Sequence, residues 1–175
     1  MEYKLPISAF KSGKYDARTL YVASYLYTNR CDNKIITCVN FITLGIGLYP
    51  NRGRNKNCES IKTILKRLVK EKIITIEGDY KNRISNMLII RFNMDSELFC
   101  DSDENVIINN DIIYKLSKTK CRNKDSLFVS YIASKILSMK NEDISPINVV
   151  KVISPVVHMT WKAVNGYLIT LSTVL

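Results

Sequence analysis

Along this chain the apolar residues switch repeatedly between a helical spacing and the alternation expected of strands. Asp16 is placed to cap a helix whose inward positions include Ala17, Leu20, Tyr21, Ala23, Ser24 and Tyr27. Val22, Tyr25 and Leu26 add a second stripe, so this helix, running to about Asn29, is expected to be buried over most of its surface. A turn over Arg30–Asn33 leads into a β-like run, Lys34–Thr37. Thr37 is then the expected cap of a short helix from Val39 to about Leu44, which Gly45, Gly47 and Pro50 end. After a loop over Tyr49–Asn57, Asn57 is the expected N-cap of a helix from Cys58 to about Glu71. Its Ile61, Ile64, Leu65, Leu68 and Val69 fall on one face, and Lys62, Thr63, Lys66, Arg67 and Lys70 on the other. Ile73–Glu77 and Met87–Phe92 read as antiparallel strands joined by a turn over Gly78–Asn86.

That order is helix, short strand, helix, loop, helix, strand, turn, strand, which is the topology of a winged helix-turn-helix. Lys34–Thr37 becomes the third strand of its small sheet; a three-helix bundle with an incidental hairpin leaves that strand without a partner. Beyond an acidic stretch, Val106–Ile108 reads as a short strand or extended arm, and Asp111 as the cap of a brief helix through Leu116. Asn123–Asp125 opens a long helix, Ser126–Met139. Ser145 with Pro146 starts a shorter one to Ser154, and after a turn over Pro155–Met159, Thr160 caps a last helix from Trp161 to about Val174. Long helix, short helix, tight turn and helix make a second helix-turn-helix without a wing. The chain stops at Ser172–Leu175 inside an apolar helical pattern, so a truncated second module is expected, a wingless one being the alternative. The expected class is therefore mostly α with small β-wings (α+β), a tandem winged helix-turn-helix. Its expected parts are a basic domain over 1–94, an acidic connector over 95–104 and a second helix-turn-helix domain over 105–175.

Charge sharpens this division. The net charge is +10, yet residues 1–94 carry 17 Lys and Arg against 7 Asp and Glu, while residues 95–175 carry 9 of each. A half-basic chain points to a polyanion facing its first half. Between Asn51 and Lys72 stand eight cations (Arg52, Arg54, Lys56, Lys62, Lys66, Arg67, Lys70 and Lys72) against Glu59 and Glu71. This cluster falls on the third helix of the winged-helix pattern and the loop before it, where such folds meet double-stranded DNA. Cations there neutralise phosphates and release condensed counterions. Arg52, Arg54 and Arg67 are the expected base readers, since arginine pairs bidentately with guanine edges. Asn55 and Asn57 either bond adenine or cap the turn. Lys81 and Arg83, with Tyr80, sit at the expected wing tip, to touch a phosphate backbone or minor groove or simply to keep a hairpin solvated. Lys11, Lys14 and Arg18 are further phosphate candidates. Thr160, Trp161, Lys162 and Asn165 open the last helix and serve either a second DNA contact or a protein contact.

Several classes of chemistry find no material. One histidine, His158, and five cysteines without CxxC spacing leave no zinc site, and reduced, packing thiols are expected. No P-loop, GxSxG, HExxH or paired catalytic carboxylate pattern occurs, so neither an enzyme nor a cofactor is expected. No apolar run reaches membrane-spanning length and no signal-peptide core opens the chain, so a cytoplasmic protein with no membrane partner is expected.

The segments YKLPISAFKSGKYDARTLYVASYL, LGIGLYPNRGRNKNCESIKTILKRLVKEKIITI and ISPVVHMTWKAVNGYL together resemble the replication initiators of low-GC Gram-positive plasmids, phages and integrated elements, which are similar to DnaD-like replisome organisers. The resemblance covers most of the chain and is one of architecture rather than of an invariant signature. It implies origin recognition for a mobile element, a homodimer, and host replication proteins as partners. Such proteins add a C-terminal helicase-loader-binding domain, for which this chain shows no stretch. A transcriptional regulator of the same fold is the alternative within the DNA-binding class. A winged-helix module for protein–protein contact with non-specific DNA affinity is the alternative outside it.

Overall fold

The computed structural model describes residues 2–48, 53–100 and 104–175. In chain order its elements are β1 (Glu2–Pro6), α1 (Ile7–Lys11), α2 (Ala17–Thr28), β2 (Lys34–Thr37), α3 (Val39–Gly45), α4 (Arg54–Lys70), β3 (Ile74–Glu77), β4 (Leu88–Phe92), β5 (Asn105–Asn109), α5 (Asn110–Lys118), α6 (Lys124–Met139), α7 (Pro146–Ile153) and α8 (Trp161–Val174). The class is α+β, mostly helical, with two small antiparallel sheets among the described residues.

The larger sheet has the order β2-β4-β3. Lys34–Thr37 does pair, with Ile35 opposite Ile90 and Ile36 opposite Ile89, while Ile76 faces Ile90 from the other side. Strand alternation sends Ile35, Leu88, Ile90, Phe92 and Ile74 into the core. Helix α2 reaches this sheet through Tyr27, which meets Phe92 of β4 edge-on at 5.2 Å, and is started by Asp16, whose Oδ1 accepts from the Thr19 amide at 2.8 Å. Ten of its twelve residues are buried, as its two apolar stripes require.

Of the smaller sheet, Val106–Ile108 is a strand, one of its two readings, while its partner β1 was not legible in the pattern. β1 pairs with β5 from Glu2 opposite Asn109 to Pro6 opposite Asn105, and buries Tyr3 and Leu5 with Val106 and Ile108. The acidic stretch also contributes to the core, because Leu98 and Phe99 turn inward between the charges. Phe99 stacks on Tyr27 with ring centroids 4.8 Å apart and meets Phe92 edge-on at 5.1 Å. The Tyr3 hydroxyl donates to the Leu98 carbonyl at 2.6 Å. Across the middle of the molecule Tyr21 of α2 stacks on Phe128 of α6 at 5.0 Å. Residues before 94 and after 105 thus contribute to one continuous hydrophobic cluster.

Helix starts follow local hydrogen-bonding chemistry, and three differ from expectation. Helix α4 begins at Arg54 behind Gly53, whose φ of 73° lies in the region that glycine tolerates. Asn57 is therefore inside the helix and buried; its Nδ2 donates to the Leu48 carbonyl, satisfying a loop acceptor closed off from water. Thr37 ends β2, and Cys38 occupies the N-cap of α3 without a side-chain bond. Asn109, not Asp111, caps α5 by accepting from the Ile112 amide at 3.0 Å; Asp111 instead pairs with Lys115 one turn on, at 3.1 Å. Ser145 and Thr160 cap α7 and α8 as expected.

At its other end α4 closes with a Schellman turn. The Ile73 amide donates to the Leu68 carbonyl at 2.9 Å and the Lys72 amide to Val69 at 3.0 Å. The pivot, Lys72, has φ 57°, a left-handed conformation that favours glycine.

Candidate nucleic-acid interface

The outward side of α4 is set by its spacing. Cys58, Ile61, Ile64, Leu65 and Leu68 are buried, which leaves Lys56, Glu59, Thr63, Lys66 and Lys70 on one exposed ridge at intervals of three and four. Lys56, Lys66 and Lys70 form no ion pair or hydrogen bond among the described residues, so their charge faces solvent. Asn55 is also exposed, with both donor and acceptor of its amide open. Arg52 lies outside the described residues, and of Arg54 only the backbone position at the start of α4 is described.

Two cations of the expected cluster are committed elsewhere. Lys62 reaches sideways; its ammonium meets Glu59 Oε1 at 2.8 Å and donates to the Lys81 carbonyl at 2.8 Å, leaving the side chain 15% exposed. It ties α4 to the turn of the β3–β4 hairpin. Arg67 is bound by three groups: Nε pairs with Glu71 Oε1 at 3.0 Å, an Nη donates to the Lys14 carbonyl, and the guanidinium lies 5.4 Å from the Tyr15 ring centre. Arg67 thus fastens the C-terminal part of α4 to the loop before α2 rather than pointing outward.

That loop is itself anchored. Lys14 pairs with Glu97, and the Tyr15 hydroxyl donates to the same carboxylate oxygen. Burial, with Glu97 beside it, pushes the Tyr15 hydroxyl well above its ordinary pKa. For Glu97, desolvation works to raise its pKa, but hydrogen bonds from Lys14 and Tyr15 outweigh it and hold the carboxyl below its usual range. Arg18, also considered for phosphate contact, is taken by Asp125 of α6 and by the Ser60 hydroxyl at 3.3 Å. Lys140 beside Lys11 depresses the Lys11 pKa, first through side-chain hydrogen bonding, with desolvation and then like charge adding to it.

The hairpin turn is held from below. Asp79 Oδ1 accepts from the amides of Lys81 at 3.0 Å and Asn82 at 3.2 Å, and Oδ2 accepts from Asn82 Nδ2 at 2.7 Å. The bonds from Asn82, then that from the Lys81 amide, lower the Asp79 pKa and fix the carboxylate form. The Asn40 amide of α3 donates to the Ile84 carbonyl at 3.0 Å, and Tyr80 is buried. The side chains of Lys81 and Arg83 are left exposed on a turn fixed against α3 and α4.

In α8 the Thr160 hydroxyl is occupied in capping, accepting from the Ala163 amide at 3.3 Å. Trp161 is 56% exposed rather than part of the core; Lys162 Nζ sits 5.8 Å from its ring, and Lys162 and Asn165 are exposed with it. This group and the α4 ridge lie on different helices. His158 is exposed in the turn before α8. All five cysteines are free, Cys38 and Cys58 buried. Among the described residues no three His, Cys, Asp or Glu side chains converge as metal ligands, and no helix is long and apolar enough to cross a membrane.

One surface escaped the sequence reading. Ile36, Phe41, Leu44 and Tyr114 are all at least half exposed and, with Tyr25, line an open groove of about 530 Å³ between β2, α3 and α5. The only signal was the apolar outer face of a very short helix, α3, where periodicity is hard to judge.

No protein-family model, curated protein or solved structure matches this chain.

Proposed function

We propose that the chain binds double-stranded DNA sequence-specifically, as a winged helix-turn-helix in which α4 is the recognition helix and the β3–β4 hairpin the wing. In this reading α6, α7 and α8 form a second helix-turn-helix, supported by the Ser145 and Thr160 caps and the short turn between α7 and α8. The observation that carries the reading is the α4 ridge: three lysines that form no ion pair among the described residues, with the open Asn55 amide and the exposed Thr63 hydroxyl, on the outer face of a helix whose inner face is locked into the core. Such a ridge neutralises phosphates on both sides of a major groove while presenting short polar groups to base edges. The packing of α4 against β3 of the hairpin supports it, and Lys62 couples α4 to the hairpin turn. Titrating duplex DNA at several salt concentrations tests it. The logarithm of affinity is expected to fall linearly with the logarithm of salt, with a slope of about −0.9 per phosphate neutralised. A salt-independent affinity rules the interface out.

Initiation of replication for a mobile element is the proposed setting, resting on the resemblance of the three quoted segments, with regulation of transcription as its alternative. Sequencing the genomic fragments that the protein enriches separates them. Repeated sites within or beside its own gene support initiation, and a promoter site supports regulation. The open groove at Phe41 and Leu44 favours a second reading, a protein-contact module with non-specific DNA affinity. Equal affinity for random and genomic duplexes supports that one.

A further inference from the structure

We infer that the α4 ridge reads A·T base pairs at the two positions that Asn55 and Thr63 face, a specificity that rests on the DNA-binding reading above. By charge alone this helix looks like a reader of guanine, yet the arginine in its last turn, Arg67, is held by Glu71, the Lys14 carbonyl and Tyr15. What remains along the outer line at i, i+4 and i+8 is Asn55, Glu59 and Thr63.

Each has a defined hydrogen-bonding state. The Asn55 amide is uncommitted, and its paired donor and acceptor match N7 and N6 of adenine, as no other base edge in the major groove does. The Thr63 hydroxyl already donates its proton to the Glu59 carbonyl at 2.9 Å. It can therefore only accept, and it presents its methyl group beside that acceptor. An A·T pair offers both complements, the adenine N6 amino group and the thymine methyl. Glu59 spends Oε1 on Lys62 at 2.8 Å, so its carboxylate is compensated where it stands between the two readers. Eight residues of helix separate Asn55 from Thr63 by about 12 Å, which corresponds to roughly three to four base pairs along a duplex. Lys66 and Lys70 continue the ridge past Thr63 as phosphate contacts without base preference.

Selection of bound duplexes from a random pool by the whole chain, followed by titration of the selected duplex, tests this. Two A·T positions about three to four base pairs apart are expected. Changing either one to G·C is expected to weaken binding roughly five- to a hundredfold. Asn55→Ala should erase the preference at one position only. Thr63→Val, which keeps the methyl, should retain most of the thymine preference at the other, and Thr63→Ser should lose it. Both residues are exposed, so the three variants remain folded by circular dichroism. Salt-dependent binding that selects G·C, or nothing, at those positions overturns this inference and leaves DNA binding standing. Failure to bind any duplex at low salt overturns both.

Discussion

Arg18 and Asp125 meet across 107 positions of sequence, with Nε and an Nη of the guanidinium each 2.9 Å from the same carboxylate oxygen. The side chains are 17% and 15% exposed, and the other Nη donates to Ser60 of α4. One arginine thus joins α2, α4 and α6, and breaking the pair strands a mostly desolvated charge. Asp125→Asn is expected to lower stability by about 1–3 kcal/mol, read as a lower urea midpoint with an unchanged slope. A double replacement, Arg18→Met with Asp125→Leu, should cost less than the two single changes summed. Strict additivity would show that the pair contributes no coupling.

The cations of α4 divide by role. Lys66→Ala with Lys70→Ala should leave the unfolding midpoint nearly unchanged and flatten the salt slope of duplex binding by about two. Arg67→Ala should instead cost stability, by no more than about 1 kcal/mol since the group is partly exposed and solvent-screened, and leave the salt slope nearly intact. If Arg67→Ala instead flattens the slope as a lysine change does, Arg67 leaves Glu71 to meet DNA.

Lys72 trades backbone comfort for charge. Its left-handed φ of 57° is one that glycine adopts without penalty. Lys72→Gly is expected to stabilise the protein by about 0.5–1 kcal/mol while removing one exposed cation beside the ridge. A gain in midpoint with a salt slope reduced by about one checks both halves of this statement.

Tyrosine burial sets an alkaline limit. Desolvation raises the hydroxyl pKa of Tyr3 and of Tyr21, so in the folded protein both hold their protons past the ordinary value of 10. The unfolded chain releases them near pH 10. Above that pH the unfolded state binds fewer protons than the folded one, so stability falls as pH rises; below it these groups have no effect. Urea midpoints measured from pH 8 to 11 should show the decline. The Tyr21 hydroxyl is buried and has no hydrogen-bond partner among the described residues. Tyr21→Phe should therefore be neutral or stabilising by up to about 1 kcal/mol at pH 7 and should make the decline above pH 10 shallower. A loss of more than about 1 kcal/mol at pH 7 would mean that the hydroxyl has a partner.

Local chemistry was legible and long-range commitment was not. Asp16, Ser145 and Thr160 each cap the helix they were expected to start, because a cap depends on three neighbouring residues. The apolar face of α4 followed from spacing alone. Asn57 has the composition of a cap, but a loop carbonyl nine residues back claims its amide. Arg67 has the charge of a DNA contact, but a backbone oxygen at Lys14 and a ring at Tyr15 hold it. β1 gave no signal, since a five-residue strand carrying Lys4 and Pro6 reads as a tail until its partner, a hundred residues on, is known.

That pairing of β1 with β5 orders events during synthesis. β1 leaves the ribosome about a hundred residues before β5 and waits for residues 105–109 before its edge is covered, a delay of roughly 5–20 s at ordinary elongation rates. Through that interval Tyr3 and Leu5 have no sheet to close over, and the aromatic cluster around Tyr27 lacks Phe99. Helices α2 to α4 and the hairpin form from nearer neighbours, so the proposed DNA-facing surface can take shape before the molecule is sealed. The slow, closing step belongs to the pairing of β1 with β5.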